Sequence, residues 1–597
     1  MKFPSIIQLW LAFKSVSQRF AIPLIYAFLG TICAISIIDV SRYDQFQIYY
    51  TKGIYLGNFG LVLSLAWCLH SEKRSLSQLK TILGHLLVLF ILGLIYSLLN
   101  PFLYDAHLII LLVLGFGFHV LVSFSAFNSR QENVGFWQIN KTFFLRFATS
   151  ALYSGVLFVG LAIAILSIDT LFNANFNGRI YPQLWVFIVG VFNTIFFLAG
   201  IPQPISLLNL EEQYPKGLKI FTQYVLLPLV TIYLAILLAY EIKIIAEWSL
   251  PESSVAILIL GYAVFGILSI LLIHPIRNLA ENKWINLFAK SFYLFMIPLL
   301  ALLAVSVYKR ISDYGITESR YLLIALAVWL TFITIYFLLK GLSEIRIIPI
   351  SLFLLAIAIS IGPWGIKQIS KKSQIGRLTS ILNQKPNKKQ SIEANNIINY
   401  LINFHGVKSL QSFLKTDLNA LNDSLNVQFL KNRKLDWEIE EELKDTVTAL
   451  MKSNYKNYNL DKDEAYVFER FTIENSGVFD VKDAIKFVAI EEYNNEEKTI
   501  LTAGGKTYKL KVSNKNKIQI FDGQQLITFK PDSLIDEISK NNKSLKEDKD
   551  GAVIVNNDVL SITKTLNKFR FKLQFDNLNG GYKEIYYKGY ILVYPIN

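Results

Sequence analysis

The chain has 597 residues, 53% of them hydrophobic and only 17% charged. A soluble globular protein carries about 25% charged residues, so the composition excludes a soluble enzyme spread over the whole length. The formal charge of +14 divides into 23 Lys/Arg against 15 Asp/Glu in residues 1–366 and 36 against 30 in residues 367–597. Neither half is therefore a basic block built for nucleic acid.

Residues 3–13, "FPSIIQLWLAF", read as a segment lying along a membrane surface. Lys2, Lys14 and Arg19 precede the first long apolar run, and no small-residue cleavage pattern follows it. That run is expected to be a retained helix. Hydropathy then predicts eleven spans, at 20–38, 54–70, 79–99, 107–127, 147–168, 183–204, 222–244, 255–273, 286–308, 321–340 and 347–365. Inside hydrocarbon each backbone amide must be paired within its own segment, so these runs are helices. Trp137, Trp185, Trp284 and Trp364 near the span ends fit an interfacial belt. Cys33 and Cys68, the two cysteines, fall inside spans and form neither a disulfide framework nor a metal spacing.

Loops on the side of the N-terminus hold sixteen Lys/Arg and those on the other side seven, which places the N-terminus in the cytoplasm. An odd number of spans then places the C-terminal part outside the cytoplasmic membrane. Past residue 366 the chain turns to Lys, Asn, Asp, Glu and Ser. Residues 367–462 read as a helical linker with "IGRLTSIL", "NNIINYLINF" ended by His405-Gly406, "VKSLQSFL" and "WEIEEELKDTVTALM". Residues 463–597 read as a β-rich soluble module, with period-two runs such as "AIKFVAI", "YKLKV", "KIQIF", "QLITF", "FRFKLQF" and "YILVYP" between Gly, Asn and Asp turns. The expected fold is a polytopic α-helical membrane protein, residues 1–366, with a C-terminal soluble α+β region.

Gly505-Lys506-Thr507 resembles the end of a phosphate-binding loop, but position 500 is Ile where that loop needs glycine, and a strand rather than a helix follows. A hairpin turn is the expectation. No HExxH, GxSxG, CxxC or dinucleotide glycine fingerprint occurs. The reading therefore leans towards a non-enzyme, with no catalytic residue, cofactor or metal assigned. Polar residues within or beside spans are the next candidates, because hydrocarbon penalises them and they often line functional cavities. These are His119, Asn193 and Glu241, together with His274 and Arg277 after the eighth span, while Pro228 and Pro298 interrupt helices.

Residues 310–321, "RISDYGITESRY", stand out between two spans. Lys309 and Arg310 close one helix, Gly315 allows the turn, and Thr317 can cap a helix whose first residue, Glu318, suits the positive end of the helix dipole. An ion pair of Glu318 with Arg310 or Arg320 is expected to fix this loop. The stretch, followed by "LLIALAVWLTFITIYFLL", resembles the hallmark of a bacterial membrane-protein family named for domain of unknown function 4153. The matching positions are Arg310, Tyr314, Gly315, Thr317, Glu318, Arg320, Tyr321 and Trp329. "SKKSQIGRLTSIL" and "IINYLINFHGVKSL" resemble the start of the C-terminal region in its longer members. The resemblance implies a multi-pass membrane protein and carries no activity with it.

Three functions remain open on sequence. The first is a non-catalytic cell-envelope scaffold whose exterior module binds an envelope protein or a lipid-linked ligand. The second is a transporter or lipid handler. The third is a membrane glycosyl or phospholipid-head-group transferase resting on Asp39 and Asp44. In each case the expected surroundings are membrane lipids of the bacterial inner membrane, with no nucleic acid.

Overall fold

The computed structural model describes all residues except 1–5, 41–45, 102–103, 128, 211–213, 248–254, 279–282, 385–387, 422–435, 456–468, 474–483, 492–497, 504–505, 514–516, 542–552, 556–558, 582–583 and 597. The chain forms two compact units, the first comprising Met1–Gln384 with Asn396–Met451 and the second Lys385–Asn395 with Lys452–Asn597.

The first unit is helical. Helix α1 spans Ile6–Arg19, α2 Ala21–Asp39, α3 Gln47–Arg74, α4 Gln78–Leu98, α5 Asp105–Ser125 and α6 Asn133–Phe172. Next come α7 at Ile180–Ala199 and α8 at Lys216–Glu247. They are followed by α9 at Val255–Ile273, α10 at Lys283–Tyr314, α11 at Glu318–Lys340, α12 at Ile347–Ser360, α13 at Ile366–Leu382, α14 at Lys388–His405, whose residues up to Asn395 belong to the second unit, and α15 at Asp436–Asn454, whose residues from Lys452 do. Ten of the described helices, α2 to α11, are long and apolar enough to cross a bilayer. The protein is thus a multi-pass integral membrane protein.

Helix α12 has only 14 residues. At about 1.5 Å per residue it falls short of the roughly 30 Å of hydrocarbon. Irregular residues 361–365 follow it, and polar bonds mark both ends of the segment. Arg346, just before α12, donates to Asn133 Oδ1 at 3.0 Å, at the start of α6. Tyr321, in the first turn of α11, donates to the carbonyl of Trp364 at 2.6 Å.

Several other polar contacts between helices sort into the same two ends. At the first, Arg19 binds Glu72 and the carbonyls of Ile201 and Pro202, Lys73 pairs with Glu132, and His274 meets Leu342 O. At the second, Lys52 reaches Tyr96 O, Gln183 reaches Asp39, and Lys367 reaches His107. Ten long apolar helices and the shorter α12 thus lie between contacts of these two kinds, and Lys367 at the start of α13 joins the second.

Polar groups collect at the ends because water and lipid head groups are there, whereas the middle packs through small residues and apolar side chains. A Cβ on Gly57 would come 2.5 Å from Gly30 Cα, so α2 and α3 touch through their backbones. Helix α6 is 40 residues long, against an expected span of 147–168. Its first turns bury Phe136, Trp137 and Ile139, while Leu152, Val156, Val159 and Ile163 farther along are exposed, as a lipid-facing surface requires.

The second unit contains two sheets. Strands β1 (Glu469–Ile473), β2 (Lys486–Glu491), β7 (Val553–Val555), β8 (Ser561–Leu566), β9 (Phe569–Gly581) and β10 (Glu584–Pro595) form one sheet in the order β2-β10-β9-β1-β7, with β8 also on β9. Strands β3 (Lys498–Ala503), β4 (Lys506–Ser513), β5 (Lys517–Phe521) and β6 (Leu526–Phe529) form an antiparallel meander. Only β1 and β7 run parallel among these pairings. Ile518, Ile520, Phe529, Phe571, Leu573, Phe575 and Ile591 build a shared core with Leu534, Ile535 and Ile538 of helix α16 (Pro531–Asn541). Buried residues alternate along β5, and Phe571, Leu573 and Phe575 keep the same period on β9, where Gln574 and Asp576 are buried as well.

Candidate functional site

Helix α10 ends at Tyr314, and Gly315 follows with φ +72, donating its N–H to Ile311 O at 2.8 Å. This is the left-handed ending that glycine adopts without strain. Thr317 occupies the N-cap of α11 with extended dihedrals, yet its side chain makes no capping bond. Its position matches the expectation and its hydroxyl does not.

The loop is held from outside by one face of α13. Ser373 Oγ accepts from Ile316 N at 2.9 Å, and Gln374 donates to the carbonyls of Tyr314 at 3.0 Å and Ile316 at 3.2 Å. Arg377 donates to the carbonyls of Ser312 and Asp313. Ser370, Ser373, Gln374 and Arg377 are spaced i, i+3, i+4, i+7, so a single polar stripe performs the clamping. Arg320 works from the inside, donating to Tyr314 O at 3.2 Å and Gly315 O at 2.8 Å with its guanidinium over the Tyr314 ring. A cation there complements the negative C-terminal end of α10.

Glu318 is 1% exposed. Ser370 donates to its Oε1 at 2.7 Å, the Tyr400 hydroxyl donates to its Oε2, and His405 Nε2 lies 3.2 Å from Oε1. The expected pairing of Glu318 with Arg310 or Arg320 does not form. Residues two apart on a helix point to different sides, so Glu318 faces the core while Arg320 faces the end of α10. The charge is compensated instead by residues 52 to 87 positions away, of which the farthest is His405.

His405 has a fully buried side chain, and its Nδ1 has no hydrogen-bond partner. Burial, followed by the Glu318 charge, pushes the Tyr400 hydroxyl far above the usual tyrosine range, so Tyr400 remains a donor.

One turn before Ser370, Lys367 Nζ lies 2.7 Å from His107 Nε2 and over the Tyr104 ring. His107 Nδ1 is 3.0 Å from Asn100 N and 3.2 Å from Asn100 O. A neutral imidazole has one N–H and one lone pair. Hence Nδ1–H bonds Asn100 O while a charged Lys367 donates to Nε2, or Nδ1 accepts Asn100 N–H while Nε2–H bonds a neutral Lys367. Burial, then the neighbouring Lys371, lowers the Lys367 ammonium below the ordinary lysine range and brings the two states closer. Among the described residues no group of His, Cys, Asp and Glu is arranged to hold a metal.

Of the predicted residues, Tyr314, Gly315, Thr317, Glu318, Arg320 and Tyr321 meet here, and Arg310 lies beside them without an ion pair to Glu318. His119 is elsewhere, bonded to Gly115 O of its own helix at 2.7 Å. Asn193 closes a π-helical segment, Ile188–Asn193, with its Oδ1 buried and unpartnered. Glu241 lies on α8. His274 and Arg277 are at the other end of the bundle, where Arg277 donates to the His274 carbonyl at 2.7 Å.

Asp39 pairs with Arg179 and Gln183, and Asp44 lies outside the described residues. Lys506 follows the β3–β4 turn, as expected of a hairpin, and pairs with Asp522 at 3.0 Å. Gly505 lies outside the described residues. Tyr104, His107, Lys367, Ser370, Tyr400 and His405 were not foreseen. The polar stripe of α13 and the histidine at the close of α14 were the signals available for them.

The family model for the domain of unknown function DUF4153 matches residues 57–385, more than half of the chain. The chain belongs to the DUF4153 family. Glu318, Lys367 and Ser370 of this DUF4153 chain fall within the matched region, whereas Tyr400 and His405 lie beyond it, so the cluster joins the family's region to the segment that follows. The chain is also similar to "Uncharacterized protein PM1469" of Pasteurella multocida (strain Pm70), at 28% identity over 243 residues. That alignment covers 40% of this chain and 40% of the relative. No solved structure matches.

Proposed function

We propose that this DUF4153 protein is a non-catalytic scaffold of the bacterial inner membrane. In this reading residues 1–366 anchor the chain, 367–462 form a helical platform, and 463–597 are a β-rich module that binds an envelope protein or a lipid-linked ligand. The observation that carries it is the Glu318 cluster. Glu318 and the backbone of residues 312–316 are bonded by side chains of α13 and α14, which fastens these helices to the membrane helices and supports a structural role for the loop.

The N-terminal end carries the excess of basic loop residues, sixteen against seven, which supports a cytoplasmic N-terminus. In this reading the short α12 is the eleventh crossing, which leaves the platform and the β-rich module outside. Two experiments test this. A single cysteine, Thr507→Cys in a Cys33→Ser/Cys68→Ser background, should react with an impermeant thiol reagent on intact cells; protection until lysis refutes the topology. Truncation after Met451 should remove the proteins that co-purify with the full chain, and an unchanged set refutes the scaffold.

One feature favours a transporter or lipid handler as second reading. Two π-helical segments, Ile188–Asn193 and Thr222–Leu226, interrupt α7 and α8, and such segments occur often at functional sites. A solute- or lipid-dependent rise in melting temperature of the purified protein supports that reading, and its loss in Asn193→Leu ties the effect to α7.

A further inference from the structure

The close of α10 gathers more positive charge than the fastening of α13 accounts for. Arg320 donates to the carbonyls of Tyr314 at 3.2 Å and Gly315 at 2.8 Å, and Arg377 donates to those of Ser312 and Asp313, so two guanidiniums sit on four consecutive carbonyls. Arg310 lies one turn before Tyr314 on α10, and its charge and that of Arg377 both act on Arg320. Three arginines thus share one corner. Lys309, Arg310 and Arg320 are also three of the seven Lys/Arg that the sequence places in loops on the side away from the N-terminus.

The protein's own acids do not answer this charge at Arg310 and Arg320. Glu318 is buried and bonded to Ser370, Tyr400 and His405. Asp313 is exposed, and among the described residues it forms no ion pair with Arg310 or Arg320. Arg310 is half-buried and makes no hydrogen bond to any described residue, while Arg320 bonds through Nη1 and leaves Nε and Nη2 to a further acceptor. Like charges brought together in a partly desolvated corner repel, and an anion relieves them. A guanidinium presents its donors in the planar fork that matches phosphate oxygens.

The surroundings say where that anion comes from. Tyr308, Tyr314 and Trp364 are exposed, and Tyr321 donates to the Trp364 carbonyl, so the corner lies in an aromatic belt at the level of lipid head groups. Farther into the bundle Val305 of α10 and Val328 and Phe332 of α11 are exposed and apolar, a surface suited to acyl chains.

We propose that Arg310, Arg320 and Arg377 form a site for the phosphate of an anionic phospholipid such as phosphatidylglycerol. Arg310 and the unbonded edge of Arg320 donate to the phosphate oxygens. A zwitterionic head group such as phosphatidylcholine brings a further cation to the same corner and is disfavoured. The bound anion offsets the repulsion between α10, α11 and α13 and so tightens the seat of α13. The site does not rest on the scaffold reading or on which side of the membrane the corner faces; it requires only that the corner lie at a membrane surface.

The test is thermal melting of the full chain in one detergent, alone and with phosphatidylglycerol, phosphatidylcholine or inorganic phosphate. Phosphatidylglycerol is expected to raise the melting temperature by several degrees more than either of the others. Arg310→Gln breaks no bond of the fold, so it should melt with wild type in detergent alone and lose the response to phosphatidylglycerol. Lys216→Gln, which removes an exposed cation at the start of α8, should keep the response. Equal rises with the two lipids overturn the proposal, as does an equal rise with inorganic phosphate or a full response in Arg310→Gln. Where Arg310→Gln melts early without lipid, native mass spectrometry of wild type released from an equal mixture of the two lipids decides: retention of phosphatidylglycerol in excess supports the site, and retention without preference overturns it.

Discussion

Replacing Glu318 by alanine removes an acceptor that three buried donors share. Ser370 and Tyr400 lose a partner for their hydroxyls, and His405, already lacking a partner at Nδ1, loses the one at Nε2. Hydrogen bonds to a charged group contribute about 1.5–3 kcal/mol each. Three would sum to roughly 4.5–9 kcal/mol if independent. They are not independent, because all converge on one carboxylate, and breaking a buried pair at one partner costs about 3–5 kcal/mol. The lower range is the expectation.

Glu318→Gln keeps the shape and one acceptor and should cost about 1–3 kcal/mol, the penalty of a partly unsatisfied polar group. The assay is thermal melting of purified protein in one detergent, combined with limited proteolysis read for cuts within 366–413. Both variants should melt earlier in the stated order, and Glu318→Ala should expose α13 and α14 to cleavage. A double-mutant cycle with His405→Phe isolates the pair. A Glu318→Ala protein that melts with wild type, or a coupling within about 0.5 kcal/mol of zero, refutes the reasoning.

Gly315 has φ +72, and a Cβ there would lie 2.8 Å from Gln374 Nε2, so Gly315→Ala should destabilise by about 1–3 kcal/mol in the same melting assay. Arg377→Ala frees two carbonyls of the loop and should cost about 1–2 kcal/mol, with lysine at that position restoring part of the loss. Tyr400 holds its proton in the folded state far above the unfolded tyrosine value of about 10, so its contribution is complete below that pH and is lost as pH rises above it. The melting temperature of wild type should fall more steeply above pH about 10 than that of Tyr400→Phe, and parallel profiles refute the assignment.

The sequence alone determined that this is a helical membrane protein with a β-rich end, and it did so for a local reason. Hydrocarbon demands long apolar runs whose amides pair within the segment, and both properties are written in consecutive residues. Runs such as "FRFKLQF" likewise display their period directly. Strands β3 and β8 went unread because "KTILTA" and "SITKTL" are rich in Thr and Lys and find their place only through pairing with β4 and β9. The 310–321 stretch was visible as an anomaly, and Gly315 and the start of α11 were legible from turn and cap chemistry. The partner of Glu318 was not. His405 lies 87 positions downstream on another helix, and only the return of α13 and α14 to the end of the bundle brings it within 3.2 Å. Charge patterning offered Arg310 and Arg320 because they are near in sequence; the helix turns Arg320 away, and burial hands Glu318 to a serine, a tyrosine and a histidine instead.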